Sequence, residues 1–155
     1  MASGAPPAAT RWPATRPGPG SAPLTATCHC GRVAVTVPTA PVRLNECRCS
    51  ICYRYGALWA YYLRREVAIT TADGAGPPRG YVRSDAVAEG DLGFFGCAVC
   101  GCVTHWEGVA DTPKRRGPEA RMGLNCRMLP EGAVEGVERV VTCVASPDAL
   151  ASAKA

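Results

Sequence analysis

Seven of the ten cysteines in this 155-residue chain fall into three tight groups. Cys28-His29-Cys30 comes first, Cys47-Arg48-Cys49 with Cys52 second, and Cys97-Ala98-Val99-Cys100 third. No other feature limits the fold so sharply. Thiols this close along a chain are poor disulfide partners, but they suit a soft metal ion. No single group supplies four ligands, and structural zinc takes four, so a closed site has to join segments far apart in the sequence.

A secreted disulfide scaffold is the competing explanation. Ten cysteines in 155 residues fall below the roughly 8–10% such scaffolds carry. The opening MASGAPPAATRWPATRPGPGSAP has no apolar core and does not read as a secretory signal. No apolar run approaches the ~18 residues of a membrane helix. The expectation is a cytoplasmic protein in a compartment that keeps thiols reduced.

In a strand, residues i and i+2 face the same way, so each C-x-C would offer two thiolates on one face, with His29 and Arg48 on the other. CAVCG reads as a metal knuckle, in which Gly101 can take positive φ without steric cost. Cys28, Cys30, Cys97 and Cys100 together make a closed four-thiolate site that contributes folding energy directly. Cys47, Cys49 and Cys52 then remain as three ligands. Three protein ligands and one exchangeable position are how a catalytic zinc is built. The expected cofactors are therefore two zinc ions, one structural and one catalytic. Two other arrangements stay open: one metal shared among seven thiols, or Cys102 or Cys126 closing the second site. A redox relay at C-x-x-C would need a βαβ setting that the sequence lacks. Cys143 reads as a small core residue.

The chain is long enough for one domain. A net charge of +4 is too mild for a dedicated nucleic-acid binder. Residues 1–23 are rich in Pro, Ala and Gly and read as a disordered tail. A domain over 24–144 and a short tail over 145–155 follow. Within the domain, Val33–Val37, Leu58–Leu63, Glu66–Thr71, Gly80–Ser84, Leu92–Cys97, Val103–Trp106, Met122–Met128 and Gly136–Val144 read as short strands separated by Gly and Pro. Residues 74–78 are a turn and 112–118 a loop. No amphipathic helix is expected, except a turn after Pro147. The fold class is all-β.

Several other residues could serve a site. His105 could act as an acid or base, although a structural role is the simpler reading, as it is for His29. Asn125 and Arg127 would share a face if extended and could bind a carboxylate. Lys114, Arg115 and Arg116 form a basic run, which is ordinarily a solvated face. Tyr53 and Tyr55 could line a pocket mouth. Trp59, Tyr61 and Tyr62 belong in the core.

CHCGRV, CRCSICYRYGALWAYY, FFGCAVCGCVTHW and the weaker RMGLNCRML run in order from Thr25 to Leu129. In these motifs the chain resembles the glutathione-dependent formaldehyde-activating enzyme family. The resemblance implies a zinc-stabilised, Mss4-like β-tent of short antiparallel strands. It implies a structural zinc on Cys28, Cys30, Cys97 and Cys100, and an active-site zinc on Cys47, Cys49 and Cys52. The implied activity is that of a carbon–sulfur lyase on small thiol–aldehyde adducts such as S-(hydroxymethyl)glutathione, with a small thiol (glutathione or an analogue) and an aldehyde as partners. A non-catalytic binding module of the same fold and a thiol-rich metal or redox buffer are the alternatives. The occupant of the fourth position at the second zinc separates them.

Overall fold

A computed structural model of the chain describes residues 14–74, 76, 78–83 and 91–142. In chain order its strands are β1 (Leu24–Thr27), β2 (Val33–Val37), β3 (Arg43–Cys47), β4 (Trp59–Leu63), β5 (Ala68–Thr71), β6 (Arg79–Val82), β7 (Leu92–Gly96), β8 (Val103–Gly108), β9 (Arg121–Asn125) and β10 (Glu138–Thr142). They form a three-stranded sheet, β1-β2-β5, and a seven-stranded sheet, β10-β3-β4-β9-β8-β7-β6. Every pairing is antiparallel except β10 with β3, which is parallel. The molecule is nearly all β, and the sheets do not close into a barrel.

Period-2 patterning explains how the sheets meet. In β2, Val33, Val35 and Val37 are buried while Ala34 and Thr36 are half-buried. Val35 and Val37 join Ala26 from β1 and meet Leu44, Ala60, Tyr62, Met122 and Leu124 of the larger sheet in the main core. Each such side chain contributes about 1.5–3 kcal/mol when fully buried. The alternation also divides β4. Ala60 and Tyr62 face this core, whereas Trp59 and Tyr61 join a second apolar cluster with Cys49, Cys52, Phe94 and Trp106. The cysteine trio therefore packs against the face of the large sheet that points away from the small one.

Two short helices depart from the sequence reading. α1 (Ser50–Tyr55) starts immediately after Cys49 and ends at Gly56, whose φ is 59°. α2 (Pro113–Arg116) occupies the expected loop, with Pro at its start where the missing N–H costs nothing. Neither is long enough to show helical periodicity. The expected strand over 122–128 stops at Asn125, because the Asn125 side chain accepts the Arg127 N–H at 3.2 Å and turns Cys126–Met128 into a 3-10 turn. β1 and β3 add to the strands read from sequence.

Residues 14–23 carry no strand or helix, but Thr15 is buried and its N–H donates to the Tyr61 carbonyl at 2.6 Å. Ser84, Cys143, the turn after Pro147 and the tail over 145–155 lie outside the described residues, as do residues 1–13. Among the described residues no helix is long and apolar enough to cross a membrane.

Candidate metal centres

The four-cysteine cluster forms where two hairpin ends meet. Cys28 and Cys30 lie in the turn between β1 and β2, not in a strand, so the same-face argument for C-x-C is not what aligns them. The turn aligns them instead. Gly31, at φ 76°, donates its N–H to the Cys28 carbonyl at 2.9 Å. The turn between β7 and β8 repeats the device, with Gly101 at φ 74° donating to the Cys97 carbonyl at 3.0 Å. Glycine reaches these angles without a Cβ clash. The result is Cys28 Sγ 3.6 Å from Cys30 Sγ, and Cys30 Sγ 3.6 Å from Cys97 Sγ. All four sulfurs, Cys100 included, lie within 4.8 Å of one another. A tetrahedral ion with Zn–S bonds of ~2.3 Å requires sulfurs about 3.8 Å apart, so the set fits zinc. Backbone N–H groups already point at the sulfurs: Val33 at Cys28 (3.2 Å) and Val99 at Cys97 (3.4 Å). A backbone hydrogen bond from Cys102 brings the Cys100 thiol down to about 5.

The three-cysteine cluster is built within one short segment. Cys47 ends β3, Cys49 is the residue before α1, and Cys52 lies in the first turn of α1. The strand-to-helix change brings their sulfurs within 4.8 Å of one another. Cys49 and Cys52 are only 4% and 6% exposed, while Cys47 is half-buried. The Trp59 indole N–H donates to Cys52 Sγ at 3.2 Å, and an Arg83 guanidinium nitrogen stands 3.8 Å from Cys49 Sγ. Hydrogen bonds from Cys47 and then Cys52 push the Cys49 thiol far down. The same sharing raises Cys47, chiefly through Cys49, and Cys52, chiefly through Cys47. Three thiols this close cannot all ionise unless a cation joins them. The donor set therefore fits a thiophilic metal here too. A cavity of about 110 Å³ opens beside Cys47 and Cys52, walled by Glu46, Arg48, Tyr53, Gly56, Ala57 and Arg127.

The remaining candidates separate clearly. Cys102 packs beside the four-cysteine cluster, and Cys126 is buried in the main core, where burial pushes its thiol up to about 12. Neither belongs to a convergent ligand group among the described residues. His105 is 2% exposed, stacks on Phe95 at 5.2 Å between ring centroids, and shares a 2.9 Å hydrogen bond with Thr104 Oγ1. Burial lowers it to about 4. It is a packed, neutral imidazole in the sheet, and His29 is exposed at a turn.

Asn125 is buried and fully engaged, accepting from Leu58 N–H and donating to the Val103 carbonyl. Arg127 is exposed and donates to the Gly56 carbonyl, so the two do not form one extended carboxylate-binding face. Arg115 is held by Asp91 at 2.6 Å, and Arg116 reaches the Val109 carbonyl at 3.4 Å. Tyr53 is 67% exposed at the trio's cavity. Tyr55 instead lines a separate cavity of about 520 Å³ beside Cys97 and Cys100. Sequence reasoning missed Arg83 as a cluster neighbour, and it read Trp59 only as core and not as the donor to Cys52. Arg83 lies thirty-four residues from Cys49, and no local pattern connects them.

A crystal structure of a Rhodobacter sphaeroides protein matches with a TM-score of 0.54 at 24% identity, covering 76% of this chain and 100% of that one. Likeness at that identity speaks to the fold alone. No curated protein matches the chain. The family model described as glutathione-dependent formaldehyde-activating enzyme matches residues 23–123, a span that contains both cysteine clusters. With most of its ordered sheet inside that match, the chain belongs to the glutathione-dependent formaldehyde-activating enzyme family.

Proposed function

We propose that the chain is a zinc-dependent carbon–sulfur lyase acting on small thiol–aldehyde adducts such as S-(hydroxymethyl)glutathione. In this reading Cys28, Cys30, Cys97 and Cys100 hold a structural zinc, and Cys47, Cys49 and Cys52 hold a catalytic one. The observation that carries it is the contrast in ligand number: four convergent sulfurs in one cluster, and three beside an open cavity in the other. When bound, the second zinc supplies a Lewis acid and a resting place for a thiolate.

The chain's own residues supply the rest. Cys49 and Cys52 are fixed by side-chain N–H donors, which hold the trio's geometry. Arg48 and Arg127 stand at the cavity and present positive charge to an anionic thiol. Glu46 is tied to Arg139 and Arg48, and these partners hold its carboxyl below the usual range, so it stays ionised and orients Arg48. In the lyase direction the C–S bond breaks with its electron pair going to sulfur. The hydroxyl oxygen becomes the aldehyde carbonyl, and its proton leaves to water. Clustered free thiols also argue for a reducing cytoplasm as the working compartment.

The small exposure of Cys49 and Cys52 favours a second reading, a zinc-stabilised binding module without catalysis. One experiment decides between them: zinc content per chain, combined with titration of glutathione and other small thiols. Two zinc ions per chain with saturable thiol binding at one of them support the lyase. Two zinc ions with no thiol binding leave the binding module.

A further inference from the structure

Arg83 follows β6, with its backbone N–H on the Leu92 carbonyl at 2.8 Å. The residue is 6% exposed, and one guanidinium nitrogen lies 3.8 Å from Cys49 Sγ. Arginine stays charged at any ordinary pH, so this guanidinium brings a positive charge to the side of the trio. The surroundings of the trio are apolar, with Trp59 and Phe94 both buried against Cys49 and Cys52. Charge counting then becomes decisive. Three thiolates around a divalent cation carry a net charge of −1, and an incoming thiolate makes it −2. Cys49 and Cys52 are buried, so little water reaches Cys49 Sγ to screen that charge. Trp59 supplies a neutral N–H to Cys52, so it adds no whole charge. The basic residues at the cavity, Arg48 and Arg127, are exposed and act from the solvent side.

We propose that Arg83 is the positioning residue that supplies the counter-charge of the three-cysteine cluster, offsetting its net negative charge and so admitting a fourth, anionic sulfur. The second half of that statement rests on the lyase reading; the first half does not. Arg83 acts through Cys49 and not by touching substrate.

The test uses the full zinc-loaded chain as parent, R83Q and R83K, each challenged with a chromophoric chelator. The four-cysteine ion serves as an internal reference. R83Q is expected to lose one zinc about 10–100-fold more readily, the range measured when outer-shell partners of a metal ligand are removed, and to keep the other as the parent does. R83K keeps the charge and is expected to recover most of that loss. Parent-like retention of both ions in R83Q overturns the proposal, and so does an equal loss in R83Q and R83K. Should R83Q release both ions, R83K carries the test: parent-like retention supports the charge role, and loss of both overturns it. A second series adds excess 2-mercaptoethanol, a small uncharged thiol. It should slow release of the second zinc in the parent and in R83K, and do so at least about tenfold less well in R83Q. A parent indifferent to the added thiol defeats the lyase reading, while the release comparison still decides whether Arg83 is the counter-charge.

Discussion

The four-cysteine cluster draws on residues 67 apart in the chain, Cys30 and Cys97, and on hairpin ends from two different sheets. The three-cysteine cluster takes all its sulfurs from residues 47–52. The donors around them differ in the same sense. Cys28 and Cys97 accept backbone N–H bonds from Val33 and Val99. The trio also has backbone donors, from Cys49 to Cys47 and from Cys52 to Cys49, but in addition Cys52 and Cys49 face the side chains of Trp59 and Arg83. One cluster is wired into the backbone and joins the sheets. The other is local, and its surroundings can be altered one side chain at a time. The same donor atom thus suits a staple in one place and an adjustable site in the other.

The largest effect expected from this contrast is on folding. C28S or C100S removes a ligand from the cluster that ties the small sheet to the β7–β8 turn. A structural zinc contributes more binding energy than the whole stability of an ordinary domain, so the loss should be at least about 5 kcal/mol, or on the order of 15–20 °C in Tm. Calorimetry with metal analysis checks it. A variant that melts with the parent and keeps both ions would mean that this cluster is no staple.

C49S probes the other side. The trio bridges no distant segments, but Cys49 is buried beside the Arg83 guanidinium, so the loss of folding stability should be about 1–3 kcal/mol, well short of that in C28S. On the proposed lyase reading, turnover should fall by more than about a hundredfold, since even outer-shell partners of a metal site are worth about 10–100-fold. Thermal unfolding and turnover measured on one preparation check both parts. A collapsed fold would erase the distinction between the clusters.

The legible part of the molecule is the part governed by local pattern. Val33, Val35 and Val37 announce a strand with one buried face, and β2 is that strand. LWAYYL announces β4 as a buried strand, and the structure places Trp59 and Tyr62, on its opposite faces, in different apolar clusters. CAVCG announces a knuckle, since only glycine closes such a turn cheaply, and Gly101 does so. What stayed hidden has two physical causes. SICYRY is too short to show helical periodicity and has no capping side chain, so α1 leaves no signature. The Asn125 turn overrides an apparently extended run through a single side-chain bond. Arg83 beside Cys49 and the parallel pairing of β10 with β3 arise from long-range contacts, which spacing along one chain does not encode.

Acid sharpens the comparison once a metal-independent contribution is subtracted. Protonating the thiolates would release a metal held by either cluster, but His105 adds a separate penalty. The unfolded chain's imidazole takes up its proton near 6.5, while burial holds the folded one neutral down to about 4. Between those values the unfolded state binds more protons, so stability rises with pH across the window and is lost as pH falls from 6.5 towards 4. The gap amounts to about 3 kcal/mol at about 1.4 kcal/mol per pH unit. H105Q should flatten the pH dependence of unfolding by roughly that amount between pH 6.5 and 4, seen by denaturant titration at several pH values. A parallel-shifted profile with unchanged slope would remove His105 from the account.

The smallest effect tests the wiring itself. W59F keeps an aromatic ring against Phe94 but removes the indole N–H that reaches Cys52 at 3.2 Å. A hydrogen bond to a charged acceptor is worth about 1.5–3 kcal/mol. Taking the lower figure, because the trio can relax around the loss, zinc retention at the second cluster should weaken about tenfold. V99A is the matching change at the first cluster. Val99 is exposed, and its contribution to Cys97 comes through the backbone N–H, which alanine preserves. Chelator release from V99A should therefore match the parent. If V99A loosens its ion as much as W59F loosens the other, the donors' origin in backbone or side chain makes no difference. If W59F alone is affected, side chains can tune the three-cysteine site while the peptide chain itself fixes the four-cysteine one.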